Sequence, residues 1–143
     1  MLKFSKNKDQ NNIELIKIVS LLIHAAKIDE NYTNKEKDLI NNFIVRFLKK
    51  NPDIKESKSP VEIIEEAEKH EKDSNHILEF TKEIKKMDID VRIFILETLW
   101  QIVLSDDKSG IYESNLIRRI CGLLYIPDKK SGEIKLNIIN KKK

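Results

Sequence analysis

The sequence predicts an all-α protein: a compact bundle of about six or seven helices with a central pseudo-two-fold helix-loop-helix repeat. Three observations predict it. Only 3 Gly and 3 Pro occur in 143 residues, so breakers are scarce in a chain that is 40% hydrophobic and 36% charged. Apolar residues recur at helical spacing along most of the length. Finally, a single ungapped shift of 77 places Val19 on Leu96, Leu22 on Leu99, Ile23 on Trp100 and Ala26 on Val103. The same shift places Asp29 on Asp106, Glu36 on Glu113, Leu39 on Leu116, Ile40 on Ile117 and Phe43 on Ile120.

The length fits one domain with a core of its own. Within it the sequence marks a frayed N-terminus over residues 1–10, a first repeat half over 11–50 and intervening helices over 60–87. A second half follows over 88–126, then a C-terminal helix and lysine tail over 128–143.

In the first half, Ile13, Ile16, Val19, Leu22, Ile23 and Ala26 recur at helical spacing, and Leu15 and Ile18 widen the stripe. A helix so broadly apolar is expected to be buried on more than one side and to end near Ile28. Thr33-Asn34-Lys35-Glu36 has the form of a capping box. Leu39, Ile40, Phe43, Ile44, Phe47 and Leu48 then form a stripe to about Lys50, where Asn51-Pro52 stops the helix.

Residues 51–60 are loop-like, and Ser59-Pro60 opens a short helix with Pro at its first position. Val61, Ile64 and Ala67 give that helix a thin inner face. Asp73 or Ser74 is expected to cap the next, with Ile77, Phe80, Ile84 and Met87 inward. Both middle helices are expected to cover the core rather than define it.

Asp88 or Asp90 is expected to cap a helix carrying Phe94, Ile95, Leu96, Leu99, Trp100, Ile102 and Val103. Its partner runs from Ile111 to about Tyr125, before Ile126-Pro127. A last segment from Lys129 to Asn140 keeps Ile134, Ile138 and Ile139 at helical spacing.

Between the helices of each half lies an acidic loop, with an aspartate at its start and a glutamate seven residues later. Glu36 and Glu113 fall in the first turn of the following helix, where a carboxylate satisfies orphan amides and offsets the macrodipole. Asp29 and Asp106 fall near helix C-termini, where negative charge opposes the dipole. Loop amides, a lysine such as Lys27 or Lys108, or a cation must offset them. If the halves pack together, four carboxylates can converge, and oxygen-only ligands suit Ca2+ or Mg2+ rather than zinc. Two readings stay open: acids that only organise loops, and acids that bind a divalent ion. Neither loop has EF-hand spacing.

These two stretches, Ala26-Lys27-Ile28-Asp29-Glu30 with Glu36 and Val103-Leu104-Ser105-Asp106-Asp107 with Glu113, resemble the tellurite-resistance TerB-like family. Its members carry an A-x-x-D-G…E motif in each of two helix-loop-helix halves. The segment from Ile120 to Asp128 is similar to that family's helix before a final short helix. Glu30 and Asp107 stand where the family usually has glycine, which adds two carboxylates and alters the backbone demands of the loops. The resemblance implies an all-helical, non-enzymatic module linked to tellurite and other stress resistance. It implies protein partners, and a place in a stress-response or peripheral membrane-associated assembly.

Other constellations are weaker. The net charge is +3 with interspersed signs, so nucleic-acid binding through surface lysines is disfavoured. Cys121 is the only cysteine and falls in the apolar series Ile117, Ile120, Cys121, Leu124, which excludes an intrachain disulfide and predicts a buried thiol. His24 is expected to be packed or half-buried, and His70 and His76 to flank a solvated hinge. Trp100 and Phe94 read as core. No phosphate-binding glycine loop, H-E-x-x-H or nucleophile motif occurs. An enzyme is therefore not expected, and a metal-dependent hydrolase using the four acids is the alternative. No signal peptide or membrane-spanning run is visible, so a cytoplasmic location is expected.

Overall fold

The computed structural model describes residues 8–27, 32–51, 58–74, 77–105 and 111–141, without the side chains of 8–14, 73, 74, 77–79, 83 and 111–114. Among these residues seven helices occur and no strand. They are α1 (Lys8–Ala26), α2 (Asn34–Lys50), α3 (Pro60–Ser74), α4 (Ile77–Ile84), α5 (Ile89–Val103), α6 (Ile111–Leu123) and α7 (Asp128–Lys141).

The apolar breadth of α1 dictates its place. Leu15, Ile18, Val19, Leu21, Leu22, Ile23, Ala25 and Ala26 are each at most 2% exposed. Such a column needs neighbours on every side, and α2, α3, α4 and α5 all pack against it. Full burial of each large aliphatic side chain contributes about 1.5–3 kcal/mol. The second buried column is α5, from Val91 to Val103, packed on α1, α2, α6 and α7.

The middle helices are more central than their thin stripes suggested. Among all elements, α3 makes the most extensive contact with α1, and Ile63, Ala67, Phe80 and Ile84 are buried completely or nearly so. A narrow stripe suffices here because the opposing helix is apolar all round. The register also differs from expectation: Ile63 points inward beside Ile64 and Ala67, whereas Val61 is 60% exposed.

The ends of the repeat halves keep the common shift. α1 ends at Ala26 and α5 at Val103, while α2 begins at Asn34 and α6 at Ile111; both pairs differ by 77. Their surroundings are not equivalent, since α3 and α4 cover α1 whereas α7 covers α5.

Several short-range devices fix the chain ends of these helices. Asn51 caps α2, its side-chain amide donating to the Phe47 carbonyl at 2.8 Å. Asp88 occupies the N-cap of α5 but makes no side-chain cap bond there. Instead Arg92 reaches out of α5, donating to the Met87 carbonyl at 3.0 Å and the Leu124 carbonyl at 2.8 Å. α6 stops two residues earlier than expected, in a Schellman turn closed by Ile126 N–H on the Cys121 carbonyl at 2.9 Å. Trp100 Nε1 donates to Ser131 Oγ at 3.0 Å, pinning α7 to α5.

Candidate functional site

The expected acidic set is only partly within the described residues. Asp29 and Asp106 lie outside them; Glu113 is the third residue of α6, with its side chain outside them. Glu36 is described and 4% exposed. The capping box is complete: Glu36 N–H donates to Thr33 Oγ1 at 3.2 Å, and Thr33 N–H donates to Glu36 Oε1 at 2.8 Å. The Thr33 hydroxyl also lies 3.0 Å from the same carboxylate oxygen. Glu36 thus organises the start of α2, as a first-turn carboxylate should.

Beside it stands a group that the sequence did not single out. Among the described residues, the Tyr32 hydroxyl is a buried polar atom with no hydrogen-bond partner. Burial pushes its ionisation well above the ordinary value, and the carboxylates of Glu68, Glu36 and Glu71 push it the same way. Lys37 lies 4.9 Å from the Tyr32 ring centroid and 4.0 Å from Glu68.

Glu71 is the acid on the buried face of α3, only 5% exposed. Lys27 Nζ donates to its Oε2 at 2.9 Å, and His24 Nδ1 lies 3.4 Å from Oε1. Two basic groups from the end of α1 thus answer one buried carboxylate, as the cost of burying an isolated charge demands. The signal was present in the sequence: Glu71 follows Ala67 by four residues on the inner stripe of α3. His24 is half-buried, as expected. His70 lies within α3 rather than in a solvated hinge, its ring 5.9 Å from that of Phe80. His76 lies outside the described residues.

A further contact joins the two halves. Lys35, in the first turn of α2, donates from Nζ to the Ser105 carbonyl at 2.8 Å. That carbonyl belongs to the C-terminal turn after α5, where Ser105 N–H bonds back to Ile102 at 3.2 Å. A cation there offsets the negative end of the α5 dipole. The sequence suggested Lys27 or Lys108 for such duty; Lys27 pairs with Glu71, Lys108 lies outside the described residues, and Lys35 does it from the opposite half.

Among the described residues, no three His, Cys, Asp or Glu side chains are grouped to hold a metal ion. Cys121 is buried, and burial pushes its thiol above the ordinary value despite an opposing hydrogen bond with Ser131. It therefore offers little thiolate for nucleophilic chemistry. No described helix is long and apolar enough to cross a membrane.

No curated protein and no solved structure matches the chain. One family model does, that of tellurite resistance protein TerB, over residues 15–136. The match runs from the buried part of α1 into α7 and includes both acidic loops. By that match, covering most of its length, the chain belongs to the TerB family.

Proposed function

We propose that the protein is a non-catalytic interaction module of TerB type that holds a divalent cation, Ca2+ or Mg2+, between its two acidic loops. Asp29, Glu36, Asp106 and Glu113 are the ligand set. The observation that carries this reading is the Lys35–Ser105 hydrogen bond, which ties the helix after the first loop to the turn before the second. An extended lysine side chain spans roughly 6 Å, so these two chain segments are near neighbours. Carboxylates gathered about 5 Å apart repel by roughly 3 kcal/mol at an effective dielectric of 20, and a hard cation relieves that repulsion.

The non-catalytic half of the reading rests on what the described side chains do. His24 is engaged with Glu71, Cys121 is buried, and neither is paired with the other as nucleophile and base. A role in tellurite resistance is taken from the family's name; a wider stress response and protein partners follow from the motif resemblance, and a cytoplasmic location is the expectation of the sequence.

Calorimetric titration of Ca2+ and then Mg2+ into chelator-stripped protein tests the cation. Saturable heat is expected, absent in the Asp29→Asn/Asp106→Asn variant. Equal heat in both proteins, or none in either, would remove the cation and leave Glu36 as a helix cap alone.

A further inference from the structure

A groove runs along α5, between α2 and α7 in one stretch and against α2 alone in the other. It has two stretches, of about 330 and 340 Å3, which share Leu39 and Gln101. Arg46 lines one stretch and Lys35 the other. Eleven residues of α2 separate them, or about 16 Å at 1.5 Å per residue. The groove is thus three helical turns long and open to solvent on one side.

Its chemistry is two-part. Leu39, Ile134 and Ile138 supply apolar carbon to its walls, and neither Leu39 nor Ile138 is fully covered by the rest of the fold. Among the described residues, the ionic ones along it are Lys35, Arg46 and Lys141 against Glu97. Outside the lining, Lys50 lies 4.5 Å from the Phe94 ring where Arg46 also rests at 5.1 Å, and Lys135 lies 5.0 Å from the Trp100 ring. The Phe94 face holds Arg46 in place along the groove instead of leaving it to sweep solvent.

We infer that this groove is the docking site for an acidic amphipathic helix of a partner protein. A helix of three to four turns matches its length, and apolar residues at three- and four-residue spacing match Leu39, Ile134 and Ile138 on its walls, while polar Gln101 and Thr98 lie beneath. Acidic residues flanking that stripe meet Lys35, Arg46 and Lys141. Other occupants fit less well. A bilayer surface is flat and cannot reach a floor set between two helices. A single-stranded nucleic acid would need free aromatic faces for stacking, and those of Phe94 and Trp100 carry cations. A second copy could offer the acidic α3, but its exposed face carries only Val61 as a large apolar residue.

The inference deepens the partner-binding half of the proposed function and does not depend on the cation. Its test uses a synthetic helical peptide of about 16 residues with leucine at groove-facing positions and glutamate elsewhere, and a twin with lysine for glutamate. Binding to the full chain is followed by fluorescence anisotropy in the presence of chelator. The acidic peptide is expected to bind at least about tenfold more tightly than its twin, and less tightly as salt rises. Arg46→Glu/Lys141→Glu, on the exposed rim, is expected to reverse that preference. Gln101→Trp, which fills the junction of the two stretches, is expected to weaken the acidic peptide without changing charge. Circular dichroism establishes that each variant is folded.

Equal binding of the twins, no binding of either, or a preference unmoved in Arg46→Glu/Lys141→Glu would overturn the proposal. So would phosphatidylserine vesicles that bind through Arg46 and Lys141 while the peptide does not. A dimer seen by sedimentation and lost in Gln101→Trp, with no peptide binding, would assign the groove to a second copy. Because chelator is present throughout, peptide binding without calcium heat would sink the cation reading alone, and the converse would sink the groove alone.

Discussion

Tyr125 holds φ at 55°, the left-handed region that a side chain with a Cβ occupies at a cost of about 1–2 kcal/mol. It is the residue at which α6 turns, and the same turn usually recruits glycine. Its ring is 67% exposed, so little packing is lost with it. Tyr125→Gly is expected to raise stability by about 0.5–1 kcal/mol, read as a higher urea midpoint at unchanged m-value. Tyr32 presents the opposite problem, a hydroxyl buried without a partner near three carboxylates. In the folded state its ionisation is raised, so the fold favours the neutral phenol. That preference is fully present below the unfolded value of 10.0 and is lost as pH climbs beyond it. Tyr32→Phe removes the unsatisfied group, so it is expected to be neutral or to stabilise by up to about 1 kcal/mol. Its stability should also fall less between about pH 8 and pH 11 than that of the unmodified chain, measured as paired urea midpoints.

At the scale of the helix, the features legible in the sequence are those made by neighbours along the chain. The capping box of Thr33 and Glu36 is complete because four adjacent residues determine it. Thr33→Ala is expected to cost about 1 kcal/mol, checked by the shift in thermal midpoint. Asp88 shows where local reading stops. It stands at the N-cap of α5, yet the Arg92 side chain works on carbonyls at Met87 and Leu124 and no cap bond from Asp88 forms. The inner face of α3 departs from expectation at one residue, Ile63 in place of Val61, for a related reason. On a helical wheel Val61 flanks Ile64 on one side and Ile63 flanks Ala67 on the other, and the direction from which α1 approaches chooses between them.

For the molecule as a whole, fold class and the two apolar columns were readable because periodicity and scarcity of breakers are properties of the chain. The site was less so. Glu71 could be seen as an acid on an apolar stripe, but nothing in the sequence pairs it with Lys27 and His24, more than forty residues away. Lys35 and Ser105 are 70 residues apart, and the groove needs α2, α5 and α7 assembled before it exists. Tertiary approach creates these features, so no local pattern announces them.

The position of α1 has a consequence for synthesis. Every helix that covers it lies later in the chain, and the last of them, α5, ends 77 residues after α1 does. At about 5–20 residues per second, the ribosome takes roughly 4–15 s to make that stretch. For that time the helix that four others bury in the finished protein is only partly covered. A nascent chain with that helix part-exposed is a target for holding chaperones until α5 has been made.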